Sequence, residues 1–414
     1  MSEFLQKVSA AHLPALLMLI LLALFPARLS AEVGDIIKYT YQGQPIKYII
    51  LSEDEKTVAT NPGNYGKAGN EVLGALVLPS KVVNGDTEYT LLEISDYSFY
   101  ANYDLTSITI PESVTSIGKY AFNWCMGLVS LHLPETLTTI GDSAFNWCMN
   151  LVSVHFPESL TTIGERAFFA CSDLEEVIIP NSVTSIGSAA FNGCDGLRSA
   201  TLSSSLTSIS EKLFSECKAL ASVTIPEGVT EIGDRAFYGC EKLSSVTLPN
   251  SLVSIGYQTF SDAGITSIII PDAVTSIDDS AFSSCNSLTS VTIGKSVTEI
   301  AYGAFGYCKN LKNVYSWAIN PPTLERDVFQ RSYPNYATLH VPAESVAAYS
   351  KAEQWEDFGE ILGDVESAGI EDVEVDGNNA PAEYFNLNGV RVDNPENGLY
   401  IKRQGGKATK VLVK

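Results

Sequence analysis

The sequence predicts a mainly β protein: a solenoid of 23-residue units with short parallel strands, capped at both ends. Periodicity is the first sign. Leu105, Leu128, Leu151, Leu174, Leu197, Leu220 and Leu243 are each 23 residues apart; Ile265 follows after 22, then Leu288 and Leu311 after 23 each. The second sign is the pattern inside the unit. Numbering Leu105 as slot 1, the unit reads L-x-S-V-T-I-P-x-S-V-T-S-I-G-x-x-A-F-x-x-C-x-x. Slots 4 and 6 alternate with period two before a proline, which marks a short strand with one buried face. The third sign is size. A 23-residue unit cannot bury its own apolar face, whereas stacked copies cover one another.

Each slot has a physical reason. Slots 10 and 13, such as Val114 and Ile117, make a second short extended piece. Glycine at slot 14 turns the chain, and the Ala-Phe pair at slots 17 and 18 fills the interior. Nine full units run from Leu105 to Asn310, and Ile94 to Asp104 is the back half of another. Three units depart from the pattern. Ser203 and Gly294 stand where others carry proline, and Ala263 replaces cysteine in the 22-residue unit. The missing residue is expected to bend the stack locally.

This pattern resembles the BspA-like, or Treponema-type, leucine-rich repeats. The resemblance rests on I-P-x-x-V-T-x-I-G-x-x-A-F-x-x-C, as at Ile110 to Cys125 and Ile225 to Cys240. It implies a curved β solenoid with little helix, exported to bacterial surfaces.

Further boundaries follow from composition. Residues 1–31 read as a secretory signal peptide: Lys7, then a 13-residue apolar run from Leu13 to Phe25, then Ser30 and Ala31 before a cut. The run is short for a membrane span, which needs about 20 residues. Residues 32–91 form an N-terminal β cap, with a hairpin around Gly43 to Pro45 and a Gly/Asn-rich loop at 61–70. The solenoid occupies 92–317. Residues 318–363 make a C-terminal cap, with a helix expected from Ser345 to Phe358 and Tyr349, Trp355 and Phe358 packing inward. An acidic linker covers 364–380. A small β tail covers 381–414, with a hairpin signal at Asn388-Gly389. Its NGLYI and KVLVK elements resemble the sorting tails of type IX secretion cargo. A plain β appendage is the other reading.

Function is legible only as a class. The formal net charge of −22 repels polyanions, which disfavours nucleic acid as a partner. No G-x-S-x-G, H-E-x-x-H or phosphate-cradling loop occurs, so no catalytic residue, cofactor or metal is assigned. All eight cysteines occupy slot 21. Side chains in register point the same way, which is poor disulfide geometry, so the cysteines read as reduced, buried fillers. His132 and His155 share slot 5 of successive strands, an outward slot that is usually threonine, and two ligands make a poor metal site.

One feature points to a contact surface. Residues 122–164 repeat a phrase almost verbatim, keeping Trp124 and Met126 as Trp147 and Met149. Slots 20 and 22 hold Gly, Glu, Asp or Lys in other units, so these side chains are expected to be solvent-facing and stacked, with Phe169 nearby. Exposed apolar clusters mark binding sites. Recent duplication alone is the competing explanation. The sequence-based expectation is a monomeric, non-enzymatic, secreted or surface-attached adhesion protein. Its partner would be a protein on host or microbial surfaces. A glycan stacked on the indoles is the alternative.

Overall fold

The computed structural model describes residues 31–365, 383–385, 391–392, 398–404 and 407–413. The signal sequence up to Ser30 and most of the acidic linker lie outside the described residues, as does the Asn388-Gly389 turn.

The protein is a β solenoid with three inter-coil ladders. Two are parallel β ladders. One joins slots 3 to 5, as in Ser199–Thr201 against Ser222–Thr224. The other joins slots 12 and 13, as in Thr139–Ile140 against Thr162–Ile163. The third lies on the turn side and is not a β ladder. Slots 16 and 20 adopt left-handed backbone, for example Tyr120 at φ 56° and Trp124 at φ 65°. These left-handed residues bracket a stretch whose alternate N–H groups, at slots 16, 18 and 20, all point to the next coil. Tyr120, Phe122 and Trp124 thus donate to the carbonyls of Asp142, Ala144 and Asn146 in the next coil, at 2.9, 2.7 and 2.8 Å.

Inside the coil the repeating slots are buried as the period requires. Slots 1, 4, 6, 10, 13, 17, 18 and 21 supply one continuous apolar core that joins both caps. Its spine is a column of stacked phenylalanines from Phe99 to Phe329. Centroids are 5.2–5.8 Å apart along the column. The C-terminal cap stops the column by turning rings edge-on: Trp355 and Phe358 meet Phe329 at 65° and 86°.

The eight cysteines are buried and free. They do more than fill space. Each thiol donates to the slot-18 carbonyl of the preceding coil, at 3.0–3.3 Å. Where the pattern ends, Ser332 makes the same bond to the Phe305 carbonyl. Slot 21 therefore takes a small donor in every unit but the 22-residue one, where Ala263 has none. Burial pushes the Cys125 and Cys308 thiols up to about 12. A thiol reagent is therefore expected to find no reactive cysteine in the folded protein and eight after denaturation; intact disulfides would contradict the ladder. The sign of the linkage is fixed. These thiols stabilise the fold fully below the ordinary thiol pKa of about 8.5, and that contribution is lost as pH rises towards their folded values.

The N-terminal cap seeds both β ladders. Strands β1 (Ile36–Tyr41) and β2 (Gln44–Ser52) form the expected antiparallel hairpin. Strand β3 (Thr57–Thr60) follows; β4 (Gly74–Val77) pairs in parallel with Leu105–Thr109 and starts the slot 3–5 ladder. Strand β5 (Lys81–Asn84) folds back on β6 (Thr87–Ile94), which starts the slot 12–13 ladder against Ser116–Ile117. The 61–70 loop closes the third ladder. Gly63 and Asn70 donate to Asp96 and Ser98 carbonyls at 2.9 and 2.7 Å.

Two of the three departures from consensus coincide with breaks in a β ladder, whereas the Gly294 unit keeps both ladders. At the 22-residue unit the slot 3–5 ladder breaks: Ser245–Thr247 ends one sheet and Ser267–Ile269 begins another. The opposite ladder continues through the same unit. The phenylalanine column also continues, with Phe260 and Phe282 5.4 Å apart. In the Ser203 unit the other ladder breaks, between Ser185–Ile186 and Ser208–Ile209.

The C-terminal cap differs from expectation in one respect. The helix spans only Val346–Tyr349, not Ser345 to Phe358. Packing overrides the helical pattern: Gln354 turns left-handed at φ 63° so that Trp355 enters the core, where its indole N–H donates to the Pro322 carbonyl at 2.9 Å. Tyr349, Trp355 and Phe358 are buried as read from the sequence. The last strand, Glu360–Val365, takes in Asp364, whose carboxylate lies 2.9 Å from His340 Nδ1. The tail carries a four-stranded antiparallel sheet built around the Gly398–Gln404 and Lys407–Val413 hairpin.

Candidate functional site

The turn side is where the coils differ most. Its backbone is fixed by the third ladder, so side chains at slots 16, 19, 20 and 22 are free to vary without breaking inter-coil hydrogen bonds. That separation of frame from surface makes it the natural place for a site.

The structure stacks the two duplicated indoles. Trp124 and Trp147 lie 5.2 Å apart at 14°, and Phe169 leans on Trp147 at 6.2 Å and 48°. Trp124 is 37% exposed; Trp147, Phe169, Met126 and Met149 are half-buried. Stacking covers the inner ring faces, so the pair presents indole edges and the outer face of Trp124. The slot beside Trp124 in the preceding coil holds Ala101, too small to cover an indole.

A second aromatic group adjoins this strip, and the sequence reading passed over it. Tyr97 and Tyr120, both at slot 16, stack at 4.7 Å and 13°. Tyr100 tilts against Tyr97 at 5.7 Å, and Tyr65 from the cap loop tilts against Tyr100 at 6.0 Å. The 23-residue spacing of Tyr97 and Tyr120 was the available signal. Burial, then neighbouring groups, pushes the Tyr97 and Tyr100 phenols up, so they stay protonated.

Further along the same side, a groove of about 510 Å³ opens at the short unit. Glu216, Glu241 and Asp262 line it with Tyr238 and Gly239. Lys218 lies 4.0 Å from Glu216. His132 and His155 are exposed on the strand side. Among the described residues no group of three or more His, Cys, Asp or Glu side chains is placed to hold a metal ion. No helix among them is long and apolar enough to cross a membrane.

A model of the BspA type leucine-rich repeat region matches residues 92–221 and 207–334, in six copies. No curated protein matches the chain. Among solved structures, a leucine-rich repeat protein from Bacteroides ovatus is 26% identical over 78% of this chain and 88% of its own, with a TM-score of 0.63. A T. pallidum leucine-rich repeat protein is 33% identical over 50% of this chain and 91% of its own, with a TM-score of 0.43. The pneumococcal vaccine antigen PcpA is 20% identical over 80% of this chain and 99% of its own, with a TM-score of 0.42. The family model covers more than half of the sequence, and its repeat is the coil described above. The chain belongs to the BspA-type leucine-rich repeat family.

Proposed function

We propose that this is a non-enzymatic, exported surface protein whose solenoid binds proteins on host or microbial surfaces. The observation that carries the reading is positional. Large apolar side chains fill both slot 20 and slot 22 in two adjacent coils, where the other coils place small, polar or charged residues and, once at slot 20, Tyr307. Stacked indole edges flanked by half-buried methionines form a compact apolar contact, and Trp is among the residues that dominate interface energies. The apolar run before Glu32 supports export. The tail elements NGLYI and KVLVK support attachment or sorting at the surface, with the mature chain acting as a monomer.

The test is the double variant Trp124→Ser with Trp147→Ser, compared with wild type by thermal unfolding and by titration against an array of extracellular-matrix proteins and whole bacterial cells. Affinity is expected to fall by about 2 kcal/mol or more while melting stays unchanged. A melting loss of core-truncation size would make the pair structural. Unchanged affinity and melting would leave the duplication without function.

A further inference from the structure

We propose that the tyrosine cluster at the junction of the N-terminal cap and the first coils is a binding site for a neutral sugar ring. It goes beyond the indole strip, and rests only on the reading of the chain as an exposed ligand-binding protein.

The site is a two-by-two patch of ladder slots with one corner recessed. Slots 16 and 19 of one coil hold Tyr97 and Tyr100; the same slots of the next hold Tyr120 and Asn123. The backbone locks these rows together: Tyr97 N–H donates to Lys119, Phe99 N–H to Ala121 and Ala101 N–H to Asn123. Three corners are therefore large rings and the fourth is a short amide, only 3% exposed. Tyr65, 83% exposed, reaches in from the cap loop against Tyr100.

Two properties select the ligand. The first is ring orientation. Tyr100 meets Tyr97 at 52° and Tyr65 at 50°, so these rings do not stack face to face, and Tyr65 is largely exposed. Tilted, exposed rings leave electron-rich π surface for the C–H side of a saturated ring. The indole pair, stacked at 14°, offers no such opening between its rings. The second property is an unmet hydrogen bond. Asn123 Oδ1 is buried without a hydrogen-bond partner. Such an acceptor is costly to leave empty, and a hydroxyl that displaces the side chains covering it satisfies it. Asn146, its neighbour in the next coil, repeats the feature.

Charge narrows the class further. Lys119 is tied to Asp142 at 2.7 Å, and Asp96 Oδ1 accepts the Lys119 backbone N–H at 2.6 Å. The cation beside the cluster is thus paired, Asp96 keeps its negative charge, and the chain's net charge of −22 repels acidic sugars. A ring with an apolar C–H face and several hydroxyls, and no charge, matches what remains.

The test uses the full chain and a panel of neutral hexasaccharides: cello-, xylo-, manno- and maltohexaose, each titrated calorimetrically. At least one is expected to bind saturably below about 10 mM. Tyr65→Ala and Tyr100→Ala are each expected to weaken it about tenfold, Tyr100→Phe to retain it, and Asn123→Leu to weaken it about tenfold without lowering the melting temperature. Tyr65 is a loop residue, so its variant remains informative if Tyr100→Ala fails to fold. No saturable binding by any panel member overturns the proposal, as does binding that survives Tyr65→Ala and Asn123→Leu together. The matrix-protein titration is scored separately. Its failure beside tyrosine-dependent sugar binding removes the protein-partner reading alone, and the converse result removes this one alone.

Discussion

Phe191→Ala is expected to lower the unfolding free energy by about 3–5 kcal/mol. The ring is fully buried in the middle of the column, 5.4 Å from Phe168 and 5.8 Å from Phe214. It touches both neighbouring coils, and its loss leaves a cavity that neither can close, because their own phenylalanines are held by the same stack. Solenoid stability is a sum of unit and interface terms, so one truncation weakens two interfaces. The comparison is Asp195→Ala, at exposed slot 22, expected to stay within about 0.5 kcal/mol. Asn192, beside the phenylalanine, is a poorer control than the repeat pattern suggests: slot 19 is half-buried there and fully buried in Asn123. Equal denaturation midpoints for Phe191→Ala and Asp195→Ala would mean that the column does not bear the coil interfaces.

Gly187→Val is expected to cost about 3 kcal/mol or more, by overpacking instead of cavity formation. A Cβ at Gly187 would stand 2.6 Å from both Glu165 Cα and Gly164 C, with the Glu165 amide nitrogen closer still. These are backbone atoms of the preceding coil, so no rotamer change relieves the contact. The coils must separate, and the Gly187 N–H bond to Ile163 at 2.8 Å goes with them. The chain supplies its own comparison. Ser210 holds this slot in the next coil, and there the β ladder is broken, with the serine hydroxyl donating to the Ile186 carbonyl. Ala301 holds it further on and keeps its N–H bond to Ile277 at 2.9 Å. A methyl alone is thus not decisive, and the branched side chain is the sharper probe. A denaturant midpoint like that of wild type would show that the coil spacing yields more easily than the contacts imply.

Much of the fold was legible because a repeat states its register many times. A slot filled by Phe or Leu in every unit is inside, and one filled by Lys, Gly and Trp in turn is on a surface. The turn-side ladder was not legible. Nothing in Tyr120, Ser143 or Arg166 announces a left-handed backbone, since the constraint falls on the main chain and leaves the side chain free. The cysteine thiol's role was half legible: burial followed from the single slot, while the bond to the preceding coil depends on a carbonyl the sequence does not mark. The helix in the C-terminal cap was misjudged for a different reason. A terminal coil must bury Trp355 and Phe358 against Phe329 and has no following coil to help, so packing sets its shape. For the candidate sites, the indole pair was visible as a repeat of itself. The tyrosine cluster draws Tyr65 from a cap loop that shares no register with the coils, and no periodicity reports contacts of that kind.

The one-way turn-side ladder bears on how such a chain changes length. Every coil offers N–H groups on one side and carbonyls on the other, at the same three places, so a 23-residue insertion that begins and ends at the same slot arrives with each donor and acceptor already matched. Insertions of any other length shift the register at a seam, as at the 22-residue unit, where one strand-side sheet ends and another begins. Copying a whole coil is therefore close to neutral for folding, while it doubles whatever that coil displays. A copy of that kind would account for the near-repeat from 122 to 164: lengthening the scaffold and pairing an indole with its duplicate would then be one genetic event.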